Sequence, residues 1–226
     1  MRIGLLGGAF DPIHVGHLNC ANQAAERFKL DVVYFVPTAV PPHKKRYWAD
    51  PSDRLAMVRR AAASNPLFRV SLLEMGDKPS YTIDTVMRFK KKHGAGLYYI
   101  IGADAFEEVH SWKSAAELIR ECNFVVVSRP GNDMKKTVGG LIKKFRALGV
   151  ALAYLKKWGA GSDEAVITAA GSGTRIHFCS FPEFGVSSTA IRARIKAGKS
   201  IKYLVPDGVR QYIINRGMYK TRLKRP

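Results

Sequence analysis

The sequence predicts an α/β protein: a single doubly wound, Rossmann-like domain in which helices flank a mostly parallel sheet. Two observations lead to this fold class. Short apolar runs alternate with amphipathic stretches in the order strand, helix, strand, helix, which is typical of a parallel sheet covered on both faces. The runs are also nearly continuous in apolar residues, as expected for strands that are buried on both sides. With 226 residues, the chain is long enough to bury one sizeable core.

Predicted helices and strands alternate along the chain. A helix follows the first glycine-rich turn, and the next helix places Leu55, Val58 and Ala62 on one face. A third helix is predicted to begin at a cap, Ser80 or Thr82, and to run to residue 92. The predicted strands cover residues 2–6, 32–36, 68–73, 97–101 and 124–127, and the first two helices cover residues 16–28 and 52–64.

Polar motifs follow three of these strands, after Leu6, after Val36 and after Ile101. The carboxyl ends of parallel strands lie at one edge of a sheet, where α/β proteins bind their ligands. The sequence therefore predicts one cleft shared by these motifs.

Residues 135–175 fit the alternating pattern less well. The stretch KKTVGGLIKKFRALGVALAYLKKW has helical character with basic faces, and GAGSDEAVITAAGSG is predicted to be a flexible loop because it is small, polar and glycine-rich. We expect one domain over residues 1–220 with a basic, glycine-rich insertion around residues 135–175. Residues 221–226 form a basic tail.

Charge is distributed unevenly along the chain. The formal net charge is +19, from 37 Lys and Arg against 18 Asp and Glu. Residues 119–226 hold 21 basic and 6 acidic groups, whereas residues 1–118 hold 16 and 12. A positive field of this kind attracts polyanions or phosphorylated small molecules.

Membrane and secreted classes are not favoured. The longest apolar runs, residues 32–37 and 97–101, are too short to span a bilayer, and no signal-peptide cleavage site follows the first strand. Cys20, Cys122 and Cys179 are odd in number and widely spaced, which predicts buried reduced thiols and neither a disulfide framework nor a zinc site. We expect a cytoplasmic protein with no membrane partner.

The stretch GGAFDPIHVGH, residues 7–17, places two histidines beside a glycine turn. Such histidines could bind a metal, act as acid and base, hold a phosphate, or be purely structural. No HExxH motif or Cys/His cluster supplies further zinc ligands, so no metal site is predicted. Gly7 and Gly8 would let the backbone approach a phosphate, and the following helix presents N–H groups. Both features favour an anion site around His14 and His17.

Two later stretches carry residues of the same kind. PPHKK places Lys44 and Lys45 after the second strand, where a solvated charge run is the alternative interpretation. In GVSSTAIRARIKAG, Ser187 and Ser188 precede an apolar-periodic stretch and Arg192 lies one turn into it. Hydroxyls, N–H groups and an arginine at one helix start predict a second anion site, with a plain helix cap as the alternative.

An ordered set of motifs resembles a known family. The set is a GGxFDPxHxGH segment, a PHK loop, SYTIDT, GADAF, Trp112 and SSTAIR. Together they are similar to bacterial nicotinate-nucleotide adenylyltransferases, members of the HxGH nucleotidyltransferase superfamily. The resemblance covers residues 1–130 and 181–219, whereas residues 135–175 depart from the family pattern. HxGH alone would indicate only a nucleotidyltransferase.

The resemblance implies a reaction in NAD biosynthesis. AMP would pass from ATP, bound with Mg²⁺, to nicotinate mononucleotide, giving deamido-NAD and pyrophosphate. It also implies that His17 stabilises charge at the α-phosphate and that His14 contacts the ATP phosphates. Lys44, Ser188 and Arg192 would neutralise the triphosphate and the departing pyrophosphate.

The resemblance implies further contacts on each substrate. The residues implied for ATP, besides the two histidines, Ser188 and Arg192, are Gly7, Gly8, Gly102, Asp104 and Ser187. Those implied for the nicotinate nucleotide are Phe10, Lys44, Thr82 and Trp112, with Thr82 and the backbone near Trp112 meeting the carboxylate and the indole stacking on the pyridine.

Two other functions are compatible with parts of the sequence. The first is a related transferase that uses nicotinamide mononucleotide or another phosphorylated acceptor, although SYTIDT with Trp112 favours a pyridine nucleotide. The second is a nucleic-acid-binding protein, suggested by the basic second half but unsupported by any recognisable binding motif. The oligomeric state is left open, and a homo-oligomer is one of the alternatives.

Overall fold

One eight-stranded sheet with helices on both faces organises the protein. The computed structural model describes residues 1–41, 47–94, 96–128, 134–158, 164–182 and 184–220. The strands are β1 (Ile3–Gly8), β2 (Val32–Pro37), β3 (Phe68–Val70), β4 (Leu97–Gly102), β5 (Asn123–Val127), β6 (Leu152–Lys156), β7 (Glu164–Ala169) and β8 (Ile176–Cys179). The helices are α1 (Val15–Phe28), α2 (Pro51–Ala62), α3 (Thr82–His93), α4 (Ala103–Phe106), α5 (Ala115–Glu121), α6 (Met134–Ala147), α7 (Ser188–Lys196) and α8 (Asp207–Asn215).

The strand order is β3-β2-β1-β4-β5-β8-β7-β6. Every neighbouring pair from β3 to β8 is parallel, and β7 and β6 add two antiparallel strands at one edge. The chain winds one way from β1 to β3 and the other way from β4 to β5, so the order reverses between β1 and β4. In open α/β sheets ligands bind at such a switch point. The predicted fold class is confirmed.

Apolar side chains on the two faces of the sheet form two cores. Helices α3, α5 and α6 cover one face, where residues such as Val86, Leu118 and Phe145 are buried. Helices α1, α2, α7 and α8 cover the other, with Met57 and Ile191 among the buried residues. No helix in the described residues is both long enough and apolar enough to cross a membrane.

The local sequence explains where α2 and α7 begin. Pro51 occupies the first turn of α2, where its missing N–H costs nothing. The Ser187 side chain accepts a hydrogen bond from the Ala190 N–H at 3.1 Å, so the predicted cap of α7 is confirmed. The cap predicted for α3 is wrong: its N-cap is Tyr81, and Thr82 is already the first helical residue.

The largest corrections fall between residues 135 and 175. The predicted helical stretch divides, because α6 ends at Ala147 and Gly149 has a φ of +72°. Leu152–Lys156 then forms β6, paired antiparallel with β7. Glu164–Ala169, predicted as part of a flexible loop, is a mostly buried strand. Small residues around it suggested a loop, but pairing on both sides makes it a strand. The third strand ends at Val70, three residues earlier than predicted.

Gly7 lies where the end of β1 meets the Tyr99 side chain. A Cβ atom built on Gly7 would collide with the Tyr99 hydroxyl. Tyr99 is buried and its hydroxyl is hydrogen-bonded to the Thr82 side chain. Glycine is therefore required here by the close approach of a side chain, and Gly7 has no unusual φ angle.

We expect Gly7→Ala to lower the free energy of unfolding by about 1–3 kcal/mol, the usual cost of overpacking a core. The loss should shrink in a Tyr99→Phe background, because that variant removes the colliding hydroxyl. Denaturant titrations of the four proteins of this cycle measure the coupling. Gly139→Ala is the control, since its Cβ would meet nothing and a helical alanine should stabilise by roughly 0.5–1 kcal/mol. An equal loss in both backgrounds would show that the Tyr99 hydroxyl is not the obstacle.

Candidate active site

A cleft of about 320 Å³ opens at the carboxyl edge of the sheet, beside the switch point. Its walls come from the ends of β1, β4 and β5, the start of α1 and the segment before α7. The cleft brings together His14, His17, Gly102 and Ser187, four residues that the sequence predicted from three separate motifs. The motifs after the first and fourth strands thus meet in one cleft as predicted, whereas no described residue from the segment after the second strand lines it.

The two histidines form a stacked pair at the start of α1. Their ring centroids are 3.7 Å apart, and the planes differ by 27°. His14 is the N-cap residue, and its backbone N–H donates to Nδ1 of His17 at 3.2 Å. A nitrogen that accepts a hydrogen bond carries no proton, so the proton of a neutral His17 ring is on Nε2. His17 thus has a defined tautomer with Nε2 as its donor.

Helix α7 is joined directly to the loop that carries the histidines. The Ser188 hydroxyl donates to the Pro12 carbonyl at 2.8 Å. Arg192 donates from Nη1 to the Asp11 carbonyl at 2.6 Å and from Nη2 to Thr189 Oγ1 at 3.1 Å. The N-termini of α1 and α7, each with N–H groups and a positive end of the helix dipole, therefore lie close together.

Asp11 is a buried carboxylate that connects three parts of the chain. Its oxygens accept hydrogen bonds from the main-chain N–H groups of Trp48 at 2.7 Å and Ala49 at 3.2 Å, and from the Tyr219 hydroxyl at 2.7 Å. Burial, together with the neighbouring Asp11 charge, raises the pKa of Tyr219, so this hydroxyl remains a donor at neutral pH. These contacts hold the loop after β1 against the segment before α2 and against the residues that follow α8.

Arg54 provides a second connection, and it is fully buried. Its guanidinium donates to four backbone carbonyls: Ala9 at 2.8 Å, Thr38 at 2.7 Å, Ala39 at 3.2 Å and Ala49 at 3.3 Å. Burial lowers the pKa of Arg54 from its ordinary value. The loops after β1 and β2 are thus fixed to α2 by one side chain.

Thr82 and Trp112 lie on the other side of the β1 turn from the histidines. The Thr82 side chain bonds to the Tyr99 hydroxyl, and the Tyr99 ring meets the Trp112 ring edge-on with centroids 6.5 Å apart. Burial raises the pKa of Tyr99, which keeps it protonated. Tyr99 and Trp112 belong to the core on one face of the sheet, whereas Phe10, which packs on His17, belongs to the core on the other face.

The charged group nearest in sequence to Trp112 is already paired. The Lys113 ammonium lies 3.0 Å from Asp84 and 4.6 Å from the centre of the Tyr81 ring. In contrast, the main-chain N–H groups of Lys113 and Ser114 have no acceptor within the described part of the chain, whereas the Trp112 N–H donates to the Val109 carbonyl at 3.1 Å. Neutral donors, and not a free cation, are therefore available beside Trp112.

The remaining predicted residues occupy varied positions. Phe10 has a φ of +50° and its ring is buried, packing edge-on to His17 with centroids 5.1 Å apart, so the ring supports the histidine and does not line the cleft. Asp104 is exposed in the first turn of α4. Gly8 ends β1 next to the Phe10 ring. Lys44 lies outside the described residues.

Sequence reasoning missed the residues that hold the site together. Arg54 was hidden because it stands in a helical stretch with Arg59 and Arg60, and only its position on the apolar face distinguishes it. Asp11 lay inside the histidine motif but was not considered as an anchor for distant segments. Within the described residues, no group of three or more His, Cys, Asp and Glu side chains is arranged to hold a metal ion.

Comparisons with known proteins agree with this architecture. A family model described as cytidylyltransferase-like matches residues 5–194. A structure of the nicotinic acid mononucleotide adenylyltransferase of Plasmodium falciparum, complexed with NaAD, superposes with a TM-score of 0.71 at 16% identity and covers 96% of this chain and 97% of that one. A putative nicotinate-nucleotide adenylyltransferase of Vibrio parahaemolyticus gives a TM-score of 0.60 at 18% identity, covering 99% and 98%. At these identities the two structures support the fold.

The sheet topology, the histidine pair at a glycine turn and the matched family model together define a nucleotidyltransferase of the cytidylyltransferase-like class. Sequence relatives specify it further. A probable nicotinate-nucleotide adenylyltransferase of Moorella thermoacetica is 41% identical, covering 98% of this chain and 93% of the relative, and one of Pelobacter propionicus is 41% identical, covering 97% and 98%. The chain belongs to the nicotinate-nucleotide adenylyltransferase family.

We expect Arg54→Leu to lower the free energy of unfolding by about 3–5 kcal/mol, because four buried carbonyls lose their donor. Arg59→Leu, an exposed arginine on the same helix, is the matched control and should change stability by less than about 0.5 kcal/mol. Urea titrations followed by circular dichroism measure both. Equal midpoints for the two variants would contradict the structural role of Arg54.

Proposed function

We propose that this chain transfers the adenylyl group of ATP to nicotinate mononucleotide, giving deamido-NAD and pyrophosphate. The observation that carries the proposal is the convergence of two helix N-termini on one cleft, joined by the bonds from Ser188 and Arg192 to the histidine loop. This arrangement suits a polyphosphate, because both helices offer N–H groups and positive dipole ends. Family membership over nearly the whole chain supports the same reaction.

The chemistry requires positioning more than it requires a base. A phosphate oxygen of the mononucleotide forms a bond to the α-phosphorus of ATP, while the bond from that phosphorus to the bridging oxygen breaks. The bonding electron pair leaves with pyrophosphate. The nucleophile is already an anion, so the protein's task is to align the reacting phosphates and stabilise the developing charge.

His17 is assigned to the α-phosphate. Its Nδ1 accepts the His14 N–H, which fixes the ring and leaves the proton on Nε2. A donor held in this way can stabilise negative charge that grows in the transition state. His14, stacked beside it, is assigned to the ATP phosphates.

We assign the triphosphate, with its metal ion, to the N-terminus of α7. Ser188, Arg192 and the N-terminus of α7 would hold the β- and γ-phosphates, with Lys44 added from the loop after the second strand. Gly102, Asp104, Gly7, Gly8 and Ser187 are assigned to the rest of ATP. We propose that ATP arrives as its Mg²⁺ complex, the ion being held mainly by phosphates and water.

The pyridine nucleotide is assigned to the side of the β1 turn that carries Thr82 and Trp112. The Trp112 ring would stack on the pyridine, while Thr82 and the N–H groups of Lys113 and Ser114 would donate to the nicotinate carboxylate. A carboxylate only accepts hydrogen bonds, whereas a carboxamide directs an NH₂ group at some of these donors. Because Lys113 is paired with Asp84, discrimination would rest on hydrogen-bond polarity.

A coupled assay that offers ATP and Mg²⁺ with either mononucleotide tests the reaction and its acceptor together. We expect kcat/KM for nicotinate mononucleotide to exceed that for the nicotinamide form by about 10–100-fold, the effect of one mismatched buried donor. Thr82→Val, which removes a donor at nearly constant volume, should bring the two values closer. A wild-type ratio near one would refute the assigned pyridine site, and failure to form deamido-NAD would refute the function.

We expect His17→Ala to lower kcat by roughly two to three orders of magnitude, because the lost donor acts mainly in the transition state. KM for both substrates should change much less. His17→Asn is the companion variant: its amide oxygen can still accept the His14 N–H, but the Nε2 donor is gone, so its kcat should fall similarly with less effect on stability. Near-normal turnover in either variant would remove His17 from the reaction.

A further inference from the structure

Trp48 is an exposed indole beside α7, the helix that carries Arg192. Its side chain is 62% exposed, whereas Trp112 and Trp158 are half-buried. A large apolar side chain left in water at this position is not needed by the core.

Two cations lie over that ring. The Lys196 Nζ is 3.8 Å from the ring centre, and the Arg192 Cζ is 5.7 Å from it. Arg192 and Lys196 are four residues apart on α7, so both extend from one face of the helix. Trp48 is thus shared by the arginine assigned to the triphosphate and by a lysine one turn further along.

The main chain of Trp48 is fixed relative to the loop that carries His14 and His17. The main-chain N–H of Trp48 donates to the Asp11 carboxylate at 2.7 Å, and Arg192 donates to the Asp11 carbonyl at 2.6 Å. Asp11 stands three residues before His14 and is buried. Hydrogen bonds thus join the Trp48 main chain and Arg192 to the histidine loop, and Lys196 contacts this group through the indole ring.

Neither cation is neutralised by an acid. In the described ranges of the chain, no carboxylate lies within 4 Å of Arg192 or of Lys196. A cation–π contact orients an ammonium through the ring quadrupole without cancelling its charge, as a carboxylate would do. Lys196 is therefore held in place with its full charge available to an anion.

We propose that Lys196, positioned by Trp48, extends the triphosphate subsite and binds the inorganic pyrophosphate that leaves the α-phosphorus. The proposal rests on the proposed function for the identity of this anion. Lys196 contacts the leaving group, whereas Trp48 is a positioning residue that acts through Lys196. Pyrophosphate is rich in charge and benefits from a second cation beside Arg192.

The test measures binding of inorganic pyrophosphate to the full-length protein by calorimetry, at fixed ionic strength and without turnover. Lys196→Ala should raise the Kd for pyrophosphate about 5–10-fold. Lys199→Ala is the control, because it removes one exposed positive charge just beyond the same helix. Equal effects of the two variants would overturn the proposal, since a general loss of charge would then explain both.

The role of Trp48 is tested by a pair of variants. Trp48→Ala should weaken pyrophosphate binding as Lys196→Ala does, and the double variant should be little worse than either single one. Trp48→Phe keeps an aromatic face and should stay within about twofold of the wild type. Circular dichroism checks the fold of each. Normal pyrophosphate binding by Trp48→Ala would overturn the positioning role.

Kinetics separate this proposal from the proposed function. Lys196→Ala should raise KM for ATP and the inhibition constant for pyrophosphate, while KM for nicotinate mononucleotide stays near the wild-type value. If the wild-type protein forms no deamido-NAD, the proposed function fails, whatever the binding series shows. If deamido-NAD forms but pyrophosphate binding is unchanged in Lys196→Ala, only the proposed role of Lys196 fails.

Discussion

The buried guanidinium of Arg54 is the interaction on which the site depends. A charge without solvent is costly unless its hydrogen bonds are satisfied, and here four backbone carbonyls accept from it while the Tyr47 ring covers it at 4.3 Å. Loops rarely lie in a protein interior, because their carbonyls would have no partners. Arg54 supplies those partners, and two loops at the carboxyl edge of the sheet can therefore be packed against α2.

Asp11 complements Arg54 with the opposite polarity. The Asp11 carboxylate accepts hydrogen bonds from N–H and O–H groups, whereas the Arg54 guanidinium donates hydrogen bonds to carbonyls. Both groups act on the segment between β1 and α1, which places the histidine pair at the switch point of the sheet. The geometry of His14 and His17 is thus set by side chains that need not touch a substrate, and such supporting contacts make a reactive constellation rigid.

Much of this architecture was predictable from sequence, for identifiable reasons. The parallel strands are predictable because their residues form apolar runs, and the Ser187 cap is predictable because it acts on its own local backbone. β7 was not predictable, since its small residues resemble a loop until β6 and β8 pair with it. Arg54 was not predictable either, because exposed and buried arginines look alike until the helix is packed.

The charged residues near the cleft are of two kinds, those that hold the loops in place and those that meet no described carboxylate. Structural charges such as Asp11 and Arg54 are buried, and their hydrogen bonds are made within the protein. Arg192 uses two donors on the protein and meets no described carboxylate, and Lys196 rests on an aromatic ring. Cations neutralised by an acid attract phosphate weakly, so charges that meet no carboxylate are the ones suited to bind a polyanion. Asp11 contacts both the structural segment and a cation of the second kind: its buried carboxylate accepts the main-chain N–H of Trp48, and its backbone carbonyl accepts a hydrogen bond from Arg192.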